Sequence, residues 1–329
     1  MTPDSPGAPS GRRRALSVLL ASVAVAIIPA GAFGWSAIAE VGDHFRAGRL
    51  REAELLAAQV DQFVNDAFFD LELAAAALVP GPSGDLAGGL ENDPDSPSLD
   101  VAMLATLLFD QDGQIVNTRP SAFASTQSDA TRGSEVASVI AESTSSISPP
   151  FSLEGGNEVV AALAVPIFAP TGDRLGTLVG LIDLKGPVMA GFVDPASRIG
   201  ATGHADLVDD RGMVLVSTNP SHVLGAGDHP EFYAEAAELR TSVVRSVPHD
   251  AGEGDVDSSS KHVMAWVPLR NAPWAVALGA SEPETMASVT QLRRTLVATG
   301  VASLVVLLGG LAIAFRVWHP NSDGRTIET

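Results

Sequence analysis

The chain has 329 residues, 39 acidic against 20 basic side chains, a formal net charge of −19 and no cysteine. That balance excludes a nucleic-acid partner, which needs Lys and Arg against phosphate, and opposes docking on an anionic lipid surface. Without cysteine there are no disulfides, no thiolate zinc sites and no cysteine nucleophile, and the length predicts about two structural units.

Residues 1–14 are small and polar and end on Arg12, Arg13 and Arg14; they read as a cytoplasmic tail. From Ala15 to Ala39 no charged residue occurs. About 25 residues of this kind suffice to cross a hydrocarbon core of about 30 Å. The basic block ahead of the run predicts a cytoplasmic N-terminus. The rival reading is a signal peptide cleaved after Ala37-Ile38-Ala39. The apolar core of such a peptide usually spans only about 7–15 residues, so the run reads as a first membrane helix over 15–39. In either reading the next domain is exported.

Residues 40–79 predict a stalk helix. Leu56, Val60, Phe63, Ala67, Leu71, Ala74 and Leu78 recur at spacings of four and three and so form one apolar seam. Pro80 and Pro82 stop the helix. Such a seam serves either to pack on the chain's own domain or to pair two copies. The stretch Pro80–Asp100 and the acidic patch Asp250–Ser260, with Glu253, Asp255 and Asp257, read as solvated loops. A second uncharged run, 295–315, predicts a second membrane helix, and 316–329 a short cytoplasmic tail too small for a core.

Between the two runs lies a repeat. Leu107–Thr118 reads LLFDQDGQIVNT and Leu207–Ser217 reads LVDDRGMVLVS. Each is an apolar strand, an Asp-x-x-Gly turn and a second strand; Gly supplies a positive φ and Asp bonds nearby backbone. Leu163–Ile167 (LAVPI) likewise matches Ala265–Leu269 (AWVPL) at nearly the same offset. Two modules follow, 80–190 and 191–290, each with a small antiparallel sheet.

The ensemble of basic start, membrane helix, stalk, two "[LV]-x-D-x-x-G-x-[IV]-[LV]" hairpins and second membrane helix resembles the double Cache (dCache) sensor family. Gly203–Pro220 is similar to its membrane-proximal hairpin, Gly176–Leu184 (GTLVGLIDL) to its last membrane-distal strand, and His262–Ala280 to its last hairpin. The resemblance implies an α+β fold, with two PAS-like Cache modules on a long N-terminal helix between two transmembrane helices. It also implies sensing of a small extracellular molecule by the membrane-distal module. Asp183 matches an Asp of the amino-acid-binding members, and Arg132 is a counterpart of their Arg. Asp183, Arg132 and, beside these matches, Asn117 are the candidate ligand contacts. For Asp183 the alternative is a strand-end cap or a pair with Lys185 or an arginine. The aromatic part of the family's amino-acid signature is missing: the single Tyr is Tyr233, and no Trp lies in the first module. Amino-acid recognition therefore does not carry over.

No cofactor or enzyme motif appears: no P-loop, G-x-S-x-G elbow or complete G-x-G-x-x-G. The loop around Asp110 lacks oxygen ligands at the first and last positions of a calcium loop, and the seven histidines show no local metal-ligand spacing. The expectation is a two-pass membrane protein with an extracytoplasmic sensor domain, no catalytic role and no metal. It binds a small molecule and passes the signal to a separate partner protein, with homodimerisation as a further expectation. The alternatives are a non-signalling exported binding or scaffold protein, an exported enzyme, and a remnant of a longer sensor kinase or chemoreceptor.

Overall fold

The structure is a computed structural model that describes residues 10–78, 86, 103–120, 123, 134–153, 158–195, 201–248 and 261–318; of 10–39, 134, 288, 311 and 314–318 it describes the backbone only. Arg132 and the predicted loops at 80–100 and 250–260, apart from Leu86, lie outside the described residues.

Helix α1 runs without a break over Ser10–Ala77, so the predicted first membrane helix and the stalk are one element. The chain divides into two units, Arg46–Thr285 and the pair of segments Met1–Phe45 and Met286–Thr329.

In the first of these units, two antiparallel sheets follow α1. The first module comprises β1 (Ala105–Asp110), β2 (Ile115–Arg119), α2 (Ser134–Ala141), β3 (Ser146–Ile147), β4 (Phe151–Ser152), β5 (Val159–Phe168) and β6 (Arg174–Asp183). After α3 (Pro187–Val193) the second module repeats the plan. It has β7 (His204–Asp209), β8 (Val214–Ser217), α4 (Pro230–Leu239), β9 (Val243–Pro248), β10 (Lys261–Pro268) and β11 (Trp274–Ser281). The sheet orders are β2-β1-β6-β5-β3, with β4 also on β5, and β8-β7-β11-β10-β9. The unit closes on α5 (Glu282–Thr285).

The predicted Asp-x-x-Gly corners occupy equivalent places. Asp110 Oδ1 accepts the N–H groups of Asp112 and Gln114, and Asp209 Oδ1 those of Arg211 and Met213, all at 2.8–3.0 Å. Gly113 and Gly212 take φ of 73° and 85°, a region closed to most side chains. Each hairpin also carries a bulge at the same step, Leu108/Phe109 and Leu207/Val208. The repeat in sequence is thus a repeat in structure.

The seam of α1 faces the chain's own sheets. Val60, Ala67, Leu71 and Leu78 are buried, joined by Ala53, Ala57, Val64 and Ala75, while Leu56, Phe63 and Ala74 pack at the margin. One apolar cluster combines this helix face with Leu108, Leu163 and Leu178 of the first sheet and Leu207, Val267 and Val276 of the second. Polar contacts fix the helix as well. Asp61 accepts the backbone N–H groups of Arg270 and Asn271 at 2.9–3.0 Å, and the Ser145 hydroxyl donates to Glu72 at 3.3 Å.

In the other unit, α6 (Ala287–Trp318) contains Val289–Gly310, 22 residues long, whose apolar 18-residue window is not buried. It is the one helix among the described residues that is long and apolar enough to cross a membrane. The predicted run 15–39 belongs to α1, and its side chains lie outside the description.

Candidate functional site

Each sheet has a second face, turned away from α1. In the first module, Leu107, Phe109, Val160, Ala162, Val179 and Leu181 form a cluster there with Val136 and Val139 of α2. Asp183 ends β6 directly opposite Val160. Its neighbours Ile182 and Leu184 belong to the α1-side cluster, so the alternation of the pleat turns Asp183 to the α2 side. The residue is half-buried. Its Oδ1 accepts the Lys185 backbone N–H at 2.9 Å, which caps the strand end. Its Oδ2 takes no hydrogen bond from the described residues. Asn117 sits on β2 opposite Leu108, whose side chain lies in the α1-side cluster. Directly opposed residues share a face. Asn117 and Asp183 are therefore on opposite sides of the sheet, and one ligand on the α2 face does not reach both.

The registers of the two sheets identify the counterpart positions in the second module. Ala105 pairs with Leu181, as His204 pairs with Gly279; Val160 pairs with Asp183, as His262 pairs with Ser281. His204, His262 and Ser281 thus stand where Ala105, Val160 and Asp183 stand in the first module. His229 joins them as the N-cap residue of α4. The three imidazoles are mutually packed, with centroids 5.4, 5.3 and 5.1 Å apart for the pairs 204–229, 204–262 and 229–262. His229 and His262 are buried and His204 is half-buried. Local spacing did not reveal them, because they come from a strand start, a helix cap and another strand. The available signal was the repeat itself, which aligns two histidines with aliphatic residues.

Beside this cluster Asp206 is buried and accepts hydrogen bonds from the Ser217 hydroxyl at 2.5 Å and from the Tyr233 hydroxyl. Burial pushes the Tyr233 phenol well above its ordinary pKa, and the negative charge of Asp206 adds to the effect. At the end of β11, Thr202 is held by Glu284 of α5. The carboxylate accepts the backbone N–H groups of Ala201 at 2.5 Å and of Thr202 at 2.9 Å, together with the Thr202 hydroxyl. The Thr202 hydroxyl, foremost, and the Ala201 amide lower the Glu284 pKa. An open groove of about 1250 Å³ between α1 and the β10–β11 hairpin is lined by Glu54, Asp61 and Asp209 among others. Asp61 and Asp209 already hold loop backbone there.

No family model matches the chain, and no curated protein does. Solved structures match it. The ligand-binding domain of the Pseudomonas fluorescens chemoreceptor CtaA, in complex with L-isoleucine, aligns over 76% of this chain and 97% of its own, with 17% identity and a TM-score of 0.55. The corresponding domain of Pseudomonas aeruginosa PctB with L-Gln aligns over 75% and 97%, with 18% identity and a TM-score of 0.53. That of Pseudomonas aeruginosa PctC with GABA aligns over 69% and 95%, at 20% identity and 0.51. The fold is that of double Cache sensor domains, as the paired hairpins suggested.

Proposed function

We propose that the chain is a membrane-anchored extracytoplasmic sensor whose first module, the membrane-distal one, binds a small solute on the α2 side of its sheet. The observation that carries this reading is the likeness to chemoreceptor ligand-binding domains over almost their whole length. Anchoring is supported by Val289–Gly310, an exposed apolar surface of a kind that soluble surfaces avoid. With α1 as the other crossing, the chain is two-pass. Solute binding acts on the helices only by preferring one arrangement of the modules, and the signal passes to a separate partner protein. A second copy of the chain would meet Leu55, Phe69 and Leu73, which α1 leaves exposed, rather than the buried seam.

Asp183 is the proposed polar contact, with one carboxylate oxygen engaged on Lys185 and the other available to a cationic or hydrogen-bonding solute. Arg132 is retained as a proposed contact from its sequence match. A thermal-shift screen of the full chain in detergent against small polar solutes tests the reading. A solute at one hundred times its Kd raises stability by about 2.7 kcal/mol. Asp183→Ala is expected to abolish that shift, while loss of the cap on Lys185 costs the unliganded chain about 1 kcal/mol. A shift that survives the substitution removes Asp183 from the site, and a screen without any stabilising solute counts against the sensor reading.

A further inference from the structure

We propose that His204, His229 and His262 form a binding site for a zinc-class divalent transition-metal ion in the second module, separate from the solute site proposed for the first. The three residues each present one potential ligand atom, and these atoms all lie within 4.8 Å of one another. Tetrahedral Zn–N bonds of about 2.05 Å place nitrogens about 3.3 Å apart, so small ring rotations complete the site.

The backbone prepares two of the rings. His204 Nδ1 lies 3.2 Å from the Thr202 carbonyl oxygen, and His229 Nδ1 lies 3.0 Å from the Pro248 carbonyl oxygen. A carbonyl only accepts, so each Nδ1 carries the proton and each Nε2 presents its lone pair. This is the arrangement that outer partners impose on metal-bound histidine. His204 Nε2 is buried with no hydrogen-bond partner among the described residues. An ordinary core histidine would satisfy that atom, since an unpaired buried acceptor is costly. Gly279 makes room for the ring: a Cβ there would lie 2.7 Å from His204 Nε2 and 2.1 Å from Met264 Sδ. The thioether therefore crowds the same point and adds a soft neighbour. Three imidazoles without a carboxylate suit Zn²⁺, Cu²⁺, Ni²⁺ or Co²⁺ and do not suit Ca²⁺ or Mg²⁺, which take oxygen ligands. A three-histidine set leaves a fourth position for water or an anionic group. The site is also connected to the end of the module. His204 is held by Thr202, and Thr202 by Glu284, three residues before α6 begins.

The test uses the full chain in detergent, stripped of metal. Stoichiometric Zn²⁺ is expected to bind at one ion per chain. At one hundred times Kd it should raise the melting temperature by about 5–10 °C, with no response to Ca²⁺ or Mg²⁺. Co²⁺ is expected to give the intense visible bands of a tetrahedral nitrogen-ligated ion. His204→Ala and His262→Ala should each remove both signals, while His222→Ala, which removes the half-buried partner of Asp228, should leave them intact. If the histidine variants fail to fold, the wild-type Co²⁺ spectrum still decides. Octahedral or absent bands overturn the proposal, as does Zn²⁺ binding that persists in folded His204→Ala. A wild-type ion site with no solute response would overturn the sensor reading of the first module and leave this one standing.

Discussion

Leu71→Ala is expected to lower the midpoint of thermal unfolding of the full chain by roughly 10 °C, from a loss of about 3 kcal/mol at about 3 °C per kcal/mol for a domain of this size. Leu71 is fully buried on α1. Its Cδ1 lies 3.2 Å from where a Cβ on Gly180 would stand, so it rests on the backbone of β6. Sheet backbone cannot collapse into the space a truncated side chain leaves, and the cavity persists. The neighbouring Leu73 is 61% exposed, and Leu73→Ala should change stability by no more than about 0.5 kcal/mol. The two substitutions remove the same atoms, so the difference between them isolates burial. One apolar cluster runs from the helix into both sheets, so the loss should appear as a displacement of one cooperative transition. Circular dichroism melts check this. Equal effects of the two substitutions, or a separate transition for one module that Leu71→Ala does not move, would contradict the shared core.

Tyr233 offers the second large effect, and it is spectroscopically isolated as the one tyrosine in the chain. Its hydroxyl donates to the buried carboxylate of Asp206, and burial together with that charge raises its pKa well above the ordinary 10.0. The native state therefore holds the phenolic proton where the unfolded chain releases it. Above pH 10 the unfolded state binds fewer protons than the native state, and stability falls as pH rises, by about 1.4 kcal/mol per pH unit for one proton. Below pH 10 the contribution is fully present. Tyrosinate absorbance should consequently stay absent near pH 10 and appear only together with unfolding. Tyr233→Phe should abolish the alkaline slope. At neutral pH it should also cost about 1–3 kcal/mol, because Asp206 is left with Ser217 as its remaining side-chain donor among the described residues. Ordinary titration near pH 10 in a chain that keeps its native circular dichroism would contradict the buried pair.

The parts of this architecture that depend on local chemistry were readable in advance. The seam of α1 follows from its period, and the two corners follow from Asp and Gly at fixed offsets, each with a named backbone requirement. Asn117 shows where alternation fails. The bulge after Leu108 puts Val116 and Asn117 on the α1 side, while Ile115 stays with the α2-side cluster. Counting by twos from Ile115 would have put Asn117 on the same face of the sheet as Asp183, and one extra residue reverses that. The histidine cluster was hidden for another reason. Its members are brought together by strand register and by the cap of α4, quantities set by tertiary packing rather than by spacing along the chain. The acidic Asp206, in contrast, gave no sign of burial, because its partners Ser217 and Tyr233 arrive from a neighbouring strand and from the helix above it.

The account stands on a sensor domain held outside the cell, and the absence of native cysteine allows a direct measurement of that placement. Asp210→Cys puts a lone thiol at the exposed β7–β8 turn, and Asn321→Cys puts one in the segment after α6. With a membrane-impermeant maleimide, Asp210→Cys should label in intact cells whose outer barrier is permeabilised, and Asn321→Cys only after the inner membrane is lysed. Labelling of Asp210→Cys that also waits for lysis would place the paired sheets in the cytoplasm and contradict the account.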